Sequence, residues 1–201
     1  QVDDVATGNL DHKKGVEILA VGAGRLIVLG WVRNHLVRLH TELLPSDLTQ
    51  RIETIDIDSD GIDELILTLY AVGEDGDSGK TTVNIYAWST SSLSLLQSLE
   101  IDSHVGDLAV VADSEPRLVL ETGTGEEGGE AQMIALSLHN HWEVWRGQIT
   151  DRSRRTLSLS SIETGQLAVG TPNGTVRLYQ VAETGLYFRG TGPELRNMAG
   201  I

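Results

Sequence analysis

The sequence predicts an all-β protein built from four copies of one repeat. Short apolar runs are separated by turn residues, and no helical periodicity of useful length is found. In each repeat a polar or charged residue, here called the anchor residue, precedes an apolar run. The anchor residues lie 47, 53 and 49 residues apart and are Glu17, Glu64, Arg117 and Gln166. A period near 50 residues with several short strands per repeat is typical of the blades of a β-propeller.

Each repeat contains four predicted strands, and the anchor residue lies between the first and the second. The first strands are predicted at 4–10, 51–57, 104–110 and 153–159, and the second strands at 18–22, 65–70, 118–122 and 167–171. The third strands are predicted at 25–31, 82–88, 131–138 and 175–181, and the fourth strands at 36–40, 93–99, 142–146 and 186–189. Turn residues separate them, most clearly Asn173-Gly174, a dipeptide favoured in two-residue hairpin loops.

We expect one propeller domain over residues 1–190, with antiparallel four-stranded blades at about 1–44, 45–100, 101–149 and 150–190 and a tail at 191–201. A lone four-stranded blade cannot cover both of its faces, so the blades must pack against one another. Four blades either close a ring by themselves or form part of a larger ring that another chain completes. Trp31 and Trp88 both end a third strand, and we expect both to pack between blades.

One loop, from Asp56 to Glu64, has the composition of a cation site. Asp56, Asp58 and Asp60 alternate along the chain, Gly61 permits a backbone turn with positive φ, and Glu64 ends the loop just before an apolar run. Two unit charges about 4 Å apart repel by roughly 4 kcal/mol at an effective dielectric constant near 20. A hard divalent cation removes this repulsion, and calcium prefers six to eight oxygen ligands.

The pattern D-x-D-x-D-G-x-x-[DE], followed by an apolar residue, resembles the calcium loop of FG-GAP/VCBS repeats, which form integrin-α-like β-propellers. The loop is not an EF-hand. Position 12 of an EF-hand loop is a bidentate Glu, and position 12 counted from Asp56 is Leu67. The resemblance implies a structural Ca²⁺ ion in the loop between the first two strands of the second blade. Glu64 departs from the family, which more often has Asp there, and a solvated acidic turn without metal is the alternative. The ligands implied are the side chains of Asp56, Asp58, Asp60 and Glu64 and the backbone carbonyl of Ile62.

The corresponding loops of the other repeats lack this set of ligands. In the first repeat, the residues that correspond to Asp56, Asp58, Asp60 and Glu64 are Asn9, Asp11, Lys13 and Glu17. Lys13 puts an ammonium group where calcium needs an oxygen, and we expect it to act as an internal cation instead. The place of Asp56 is taken by Ala109 in the third repeat and by Ser158 in the fourth. We therefore predict one calcium ion rather than four.

The composition limits the classes of partner and chemistry. The chain has 201 residues, with 15 Lys and Arg against 29 Asp and Glu, and its net charge of −14 disfavours nucleic acids and anionic membranes as partners. No run of 18 apolar residues is present, so no membrane span is expected. The absence of cysteine excludes disulfides, thiolate metal sites and a cysteine nucleophile. The first residue, Gln1, fits either a processed secreted chain or an expressed fragment.

Two long acidic loops join the second and third predicted strands of the second and third repeats. Both are expected on the propeller face opposite the calcium loop, where propeller proteins commonly bind ligands through loops. We interpret them as an acidic rim for a cationic or hydroxyl-rich ligand, and a solubilising surface is the alternative interpretation. The rim residues are Glu74, Asp75, Asp77, Glu126, Glu127 and Glu130.

The function that the sequence favours is non-catalytic. A secreted or cell-surface interaction module, binding protein or carbohydrate through these loops, agrees with the family resemblance, although a fold does not determine a function. The first alternative is a structural subunit or decoration of an extracellular assembly, formed by self-assembly or with a partner chain. A propeller hydrolase or lyase is a further alternative, but no convergent acid, base and nucleophile are found in the sequence.

Overall fold

A computed structural model of the chain describes residues 2–11, 15–45, 49–71, 79–89, 92–113, 115–123, 132–138, 143–148, 158–162, 165–171, 174–182 and 185–191. These residues form sixteen β-strands and no helix. The chain separates into two compact units, Gln1–Asp102 and Ser103–Ile201. Each unit contains two four-stranded antiparallel sheets, so the predicted all-β class and the four four-stranded sheets are confirmed. A single domain over 1–190 with a tail at 191–201 stays a prediction.

The first unit contains the first and second sheets. The first sheet is formed by β1 (Asp4–Gly8), β2 (Glu17–Gly22), β3 (Arg25–Val32) and β4 (His35–Leu43). The second sheet is formed by β5 (Thr49–Ile55), β6 (Glu64–Ala71), β7 (Lys80–Ser89) and β8 (Ser92–Ile101). Each sheet pairs its strands in chain order, so each repeat supplies all four strands of its own sheet.

The second unit contains the third and fourth sheets. The third sheet is formed by β9 (His104–Val111), β10 (Arg117–Gly123), β11 (Gln132–Ser137) and β12 (Glu143–Gln148). The fourth sheet is formed by β13 (Ser158–Ser161), β14 (Gln166–Gly170), β15 (Val176–Ala182) and β16 (Gly185–Thr191). These strands are also paired in chain order. Among the described segments, none is a helix long and apolar enough to cross a membrane.

The strands agree with the predicted ones to within a few residues, and among the described strands β4 differs most, because it ends at Leu43 rather than at residue 40. The predicted third and fourth strands of the first repeat left residues 32–35 between them, but Val32 pairs with His35. Arg33 and Asn34 both have positive φ, 51° and 65°, as a type I′ turn requires, so a two-residue loop suffices. The predicted start of the first strand in the fourth repeat, 153–157, lies outside the described residues.

Each sheet has two faces that we name by the residues of its second strand. The back face carries the anchor residue and the residues that alternate with it, and the front face carries the residues between them. Back-face members of the four sheets are Leu19, Ile66, Val119 and Ala168, and front-face members are Ile18, Leu65, Leu118 and Leu167.

The same pair of faces forms the core of each unit. In the first unit the back face of the first sheet packs against the front face of the second, through Ala6, Leu19, Val21, Leu26, Val28, Ile52, Leu65, Leu67 and Trp88. In the second unit the back face of the third sheet packs against the front face of the fourth, through Ala109, Val111, Val119, Met133, Ala135, Leu159, Leu167, Val169 and Val181. Burial of these apolar side chains is the main stabilising term. Of the two tryptophans expected to pack between blades, Trp88 is buried in the core of the first unit, whereas Trp31 is 62% exposed.

An aspartate joins the two sheets of each unit at the edge of their first strands. In the first unit Asp4 of β1 accepts hydrogen bonds from the backbone N–H groups of Val5, at 2.9 Å, and of Ile52 in β5, at 3.1 Å. In the second unit Asp107 of β9 accepts from Leu108, at 3.0 Å, and from Leu159 in β13, at 2.8 Å. Each carboxylate therefore links two neighbouring strands that do not pair with each other.

Glu121 is a buried carboxyl group in the second unit. It lies on β10 directly opposite Asp107 of β9 and is only 3% exposed. Burial, and then the negative charge of Asp107, raises the pKa of Glu121 from 4.5 to about 7. The corresponding position of the first unit, opposite Asp4, is Val21, which has no charge to bury.

We expect Glu121 to lower the stability of the protein as the pH rises. Its folded-state pKa lies above the unfolded value, so the penalty is absent below about pH 4.5 and complete above about pH 7. A shift of this size corresponds to roughly 3 kcal/mol at most. Glu121→Gln should therefore gain stability over the wild type across this interval, as measured by urea unfolding at a series of pH values. A difference between the two proteins that does not change with pH would contradict this account.

Candidate metal centre

The acidic loop between β5 and β6 folds back on itself through hydrogen bonds to its own backbone. Asp56 accepts hydrogen bonds from the backbone N–H groups of Asp60, at 3.1 Å, and Gly61, at 2.9 Å. Asp60 accepts one from Ile62, at 2.8 Å. Two residues of the loop, Ser59 and Gly61, have positive φ, 64° and 87°. Aspartates that bond to backbone two to five residues later hold such turns, and Gly61 adopts its conformation without Cβ strain.

Three carboxylates of this loop converge. One oxygen each of Asp56, Asp58 and Glu64 lie within 4.8 Å of one another, and no other group of three or more metal-ligating side chains is found in the described part of the chain. Glu64 is buried at the start of β6, Asp56 is half-buried, and Asp58 is exposed. Glu64 accepts a hydrogen bond from the N–H group of Ile57 at 2.8 Å, which orients its carboxylate over the loop.

The remaining two predicted ligands are in the same loop. Asp60 is not one of the three converging carboxylates, and its Oδ1 accepts the hydrogen bond from Ile62. Asp60 also donates its own N–H group to Asp58, at 3.1 Å. The side chain of Asp60 and the backbone carbonyl of Ile62 therefore stay predicted ligands, whereas the other three carboxylates lie close enough together to hold a metal ion.

The electrostatics of the loop favour a bound cation. Burial raises the pKa of Glu64, the negative charges of Asp58 and Asp60 raise it further, and the hydrogen bond from Ile57 opposes this shift. The ionised form of Glu64 is thus disfavoured when nothing neutralises the loop. The ligand set is entirely oxygen, as hard divalent cations require, so the residues present fit a calcium ion.

The loop between β1 and β2, called the first loop below, contains a hydrogen bond equivalent to that of Glu64. Glu17 accepts from the N–H group of Leu10 at 2.9 Å, as Glu64 does from Ile57, and the two residues of each pair are seven positions apart. This supports the alignment of the first loop with the acidic loop. Lys13, expected to be the internal cation of the first loop, lies outside the described residues.

A contact between the two loops was missed by the sequence analysis. The N–H group of Asn9 donates to Asp63 Oδ2 at 2.7 Å, and the N–H group of Asp63 donates to the carbonyl of Asn9, also at 2.7 Å. The Asn9 side-chain amide donates to the carbonyl of Gly61. Asn9 of the first loop therefore supports the backbone of the acidic loop at Gly61 and at Asp63. The sequence alone did not show that Asp63 has a different role from its acidic neighbours, because its hydrogen-bond partner, Asn9, is 54 residues away.

Gly8 allows the first sheet to approach this contact closely. A Cβ atom at Gly8 would lie 2.8 Å from Asp63 Oδ2 and 2.9 Å from the Cβ atom of Thr54. Thr54 also donates its hydroxyl to the carbonyl of Thr7 at 2.8 Å, so the second sheet is held against the end of β1.

The six residues of the predicted acidic rim lie outside the described residues, in 72–78 and 124–130. Their role as a ligand site stays a prediction. Comparison of the chain with protein-family models finds no match, and comparison with curated proteins finds none either. The resemblance to FG-GAP/VCBS repeats therefore rests on the motif and the repeats alone.

We expect Gly8→Ala to destabilise the first unit. The added methyl group collides with Thr54 and with the hydrogen-bonded Asp63, and overpacking of this kind costs roughly 1–3 kcal/mol. Gly190→Ala is the matched control, because a Cβ atom there meets no atom within 4 Å. Urea unfolding of the two variants measures the difference, and equal stabilities would contradict the close approach.

We expect Glu64→Gln to stabilise the protein in the absence of divalent cations and to destabilise it, relative to the wild type, in their presence. Glutamine keeps the acceptor for Ile57 but removes a charge whose ionisation is disfavoured in the folded state. Because the pKa of Glu64 is raised, the gain in metal-free stability should be absent at acidic pH and grow as the pH rises through the titration of this carboxyl. Thermal unfolding in chelator and in calcium, at acidic and neutral pH, measures both effects. A variant that is less stable than the wild type in chelator at neutral pH would contradict the assignment.

Proposed function

We propose that the chain is a non-catalytic, extracellular interaction module stabilised by one calcium ion in the loop between β5 and β6. The observation that carries this proposal is the convergence of carboxylate oxygens from Asp56, Asp58 and Glu64 within 4.8 Å. In the proposed site these three residues bind the ion together with the Asp60 side chain and the Ile62 carbonyl. The ion neutralises the loop and fixes the connection between the first two strands of the second sheet.

Calcium is favoured over magnesium by the restrained geometry of the donor set. Carboxylate and carbonyl oxygens suit both ions, but magnesium demands near-ideal octahedral geometry and keeps several waters. Carboxylates that are held by hydrogen bonds to the loop backbone do not rearrange freely into an octahedron, whereas calcium accepts an irregular shell of oxygens. Extracellular calcium modules bind with dissociation constants of about 10⁻⁴–10⁻³ M, which suits a secreted or cell-surface protein.

The proposed arrangement of the four sheets is that of propeller blades, as four blades of one ring or part of a larger ring. Its support is the repeated contact within each unit, where the back face of one sheet covers the front face of the next. Propeller blades stack face to face around an axis in this way, and each sheet here is a meander of four consecutive strands.

The proposed binding surface is the acidic rim formed by Glu74, Asp75, Asp77, Glu126, Glu127 and Glu130. Its support is the length and charge of these two loops in the sequence. The proposed ligand is a protein or a carbohydrate with cationic or hydroxyl-rich groups. Reversing the charge of Glu126 and Glu127 to lysine should weaken binding to a panel of glycans and basic peptides, and unchanged binding across the panel would exclude the rim.

Calcium should raise the melting temperature of the wild-type protein. At roughly 10 to 100 times its dissociation constant, calcium stabilises by about 1.4–2.7 kcal/mol. In a domain of this length, that corresponds to about 3–11 °C. Asp58→Ala should abolish the shift, because it removes one of the three converging carboxylates. Differential scanning calorimetry in calcium and in chelator provides the measurement.

The matched control is Glu17→Gln, which changes the equivalent glutamate of the first loop. Its hydrogen bond to Leu10 is preserved by glutamine, and it is not part of the converging group, so the calcium response should be that of the wild type. A wild-type response in Asp58→Ala would overturn the metal assignment. Loss of the calcium-dependent melting shift in Glu17→Gln would indicate that the ion binds nearer to the first loop.

A further inference from the structure

Asn9 of the first loop directs three polar groups at the acidic loop. Its backbone N–H group donates to Asp63 Oδ2 and its backbone carbonyl accepts from the N–H group of Asp63, both at 2.7 Å, and its side-chain amide donates to the carbonyl of Gly61. Its fourth polar atom, Oδ1, is buried and has no hydrogen-bond partner in the described part of the chain. An unpaired buried acceptor costs free energy, so the fold places this side chain for its donor and not for its acceptor.

The contact with Gly61 fixes the peptide group that joins Gly61 to Ile62. The peptide bonds of this loop are trans, and a trans peptide is planar with its carbonyl and N–H groups pointing in opposite directions. Because the Asn9 amide holds the Gly61 carbonyl, the N–H group of Ile62 points away from the first loop. Asp60 Oδ1 accepts that N–H group at 2.8 Å. Asn9 and Asp60 therefore hold opposite ends of one peptide group, and the orientation of the Asp60 carboxylate depends on Asn9.

The contact with Asp63 fixes the next peptide group, between Ile62 and Asp63, in the same way. Its N–H end belongs to Asp63 and is held by the backbone carbonyl of Asn9. Its carbonyl end belongs to Ile62 and, because the peptide is trans and planar, points away from Asn9. This carbonyl is one of the predicted calcium ligands, and Asn9 therefore determines its direction.

The second unit shows which part of this contact is general. The residue before the anchor residue, Asp63 in the second repeat, is Gly165 in the fourth, and its N–H group donates to the carbonyl of Ala112 at 2.8 Å. One backbone bond between neighbouring loops is therefore found in both units and belongs to the packing of the sheets. Neither Ala112 nor Gly165 has a polar side chain to add to it. The extra bonds of Asn9 occur in the unit whose loop has converging carboxylates.

We propose that Asn9 is a positioning residue of the calcium site, which orients two consecutive peptide groups of the acidic loop and, through them, the Asp60 carboxylate and the Ile62 carbonyl. This role rests on the calcium site proposed above and deepens it. Removing a partner that orients the ligands of a metal ion typically lowers the affinity for the ion by roughly 10–100-fold. Because such coupling is reciprocal, calcium in turn strengthens the contact between the first two sheets.

The variant Asn9→Asp separates positioning from charge. Aspartate has nearly the same shape and keeps the backbone bonds to Asp63, but it cannot donate to the Gly61 carbonyl. A negative charge added beside the acidic loop would by itself attract calcium more strongly, whereas loss of positioning weakens binding. We expect the calcium affinity to fall roughly 10–100-fold, as measured by isothermal titration calorimetry with calcium chloride at constant ionic strength. Asn9→Ala, which removes the donor without adding a charge, should also weaken binding and repeats the test if Asn9→Asp proves unfolded in a thermal melt.

Thr54→Val is the matched control for sheet packing. It removes the hydrogen bond from the Thr54 hydroxyl to the carbonyl of Thr7, which also joins the first two sheets, and it touches neither of the two peptide groups. We expect Thr54→Val to lower the melting temperature and to leave the calcium affinity at the wild-type value.

The water ligands of the bound ion provide a second measurement, which sheet packing alone would not change. Terbium takes the place of calcium in oxygen sites, and its luminescence lifetimes in H₂O and D₂O report how many waters it binds. Both Asn9 variants should add water to the shell of the ion, because solvent replaces a loop oxygen that is no longer oriented. Thr54→Val should bind terbium with the wild-type number of waters.

Failure of the positioning role and failure of the calcium site give different results. Wild-type affinity in both Asn9 variants, or tighter binding by Asn9→Asp, would overturn the positioning role and leave the calcium site in place. An equal loss of affinity in Thr54→Val and in Asn9→Ala would also overturn it, since both would then act through sheet packing. A wild-type protein that binds no calcium in the titration would overturn the calcium site, and the positioning role with it.

Discussion

The constraint on which the structure depends is that a four-stranded sheet has two faces and one neighbour covers only one of them. Both units cover one face of each of their sheets in the same way, by placing the back face of one sheet on the front face of the next. The second strands of the first and fourth sheets show the result, since buried and half-buried residues alternate along Glu17–Gly22 and Gln166–Gly170. Face-to-face packing of sheets therefore determines which apolar residues are buried and which remain available to a partner.

Polar contacts determine how the paired sheets are aligned. Apolar packing is non-directional, so it tolerates sliding of one sheet over another. Asp4 and Asp107 prevent this at the edge, because each carboxylate bonds to the backbone of two strands and fits one alignment of those strands. In the first unit the Asn9–Asp63 contact adds a second fixed point next to the acidic loop. The geometry of the candidate metal centre is thus coupled to the packing of the first two sheets.

Sequence patterns predicted the sheets well, because strand positions and turns depend on local chemistry. Apolar runs after Glu17, Glu64, Arg117 and Gln166 located the second strands. Alternation within the acidic loop located two of the converging carboxylates, Asp56 and Asp58, although Asp60 alternates with them and is not in the group. The inter-sheet bonds were not predictable in this way, because they join residues about fifty positions apart and require knowledge of which sheets are neighbours. One signal was present, however: Asp4-Val5-Ala6 and Asp107-Leu108-Ala109 repeat the same order in the two units.

The anchor position shows how one backbone feature supports different chemistries. Glu64 joins two aspartates in a group that fits a cation, and Glu17 keeps the same backbone bond in the first loop. In the third sheet the position is Arg117, which is buried, with its guanidinium 3.9 Å from Asp113 and 3.8 Å from Glu115. The sign of the charge is reversed there: the side chain itself supplies the cation, and the loop supplies the anions. A buried arginine held by two carboxylates leaves no need for a metal ion, which is a physical reason why the third repeat does without the acidic cluster of the second.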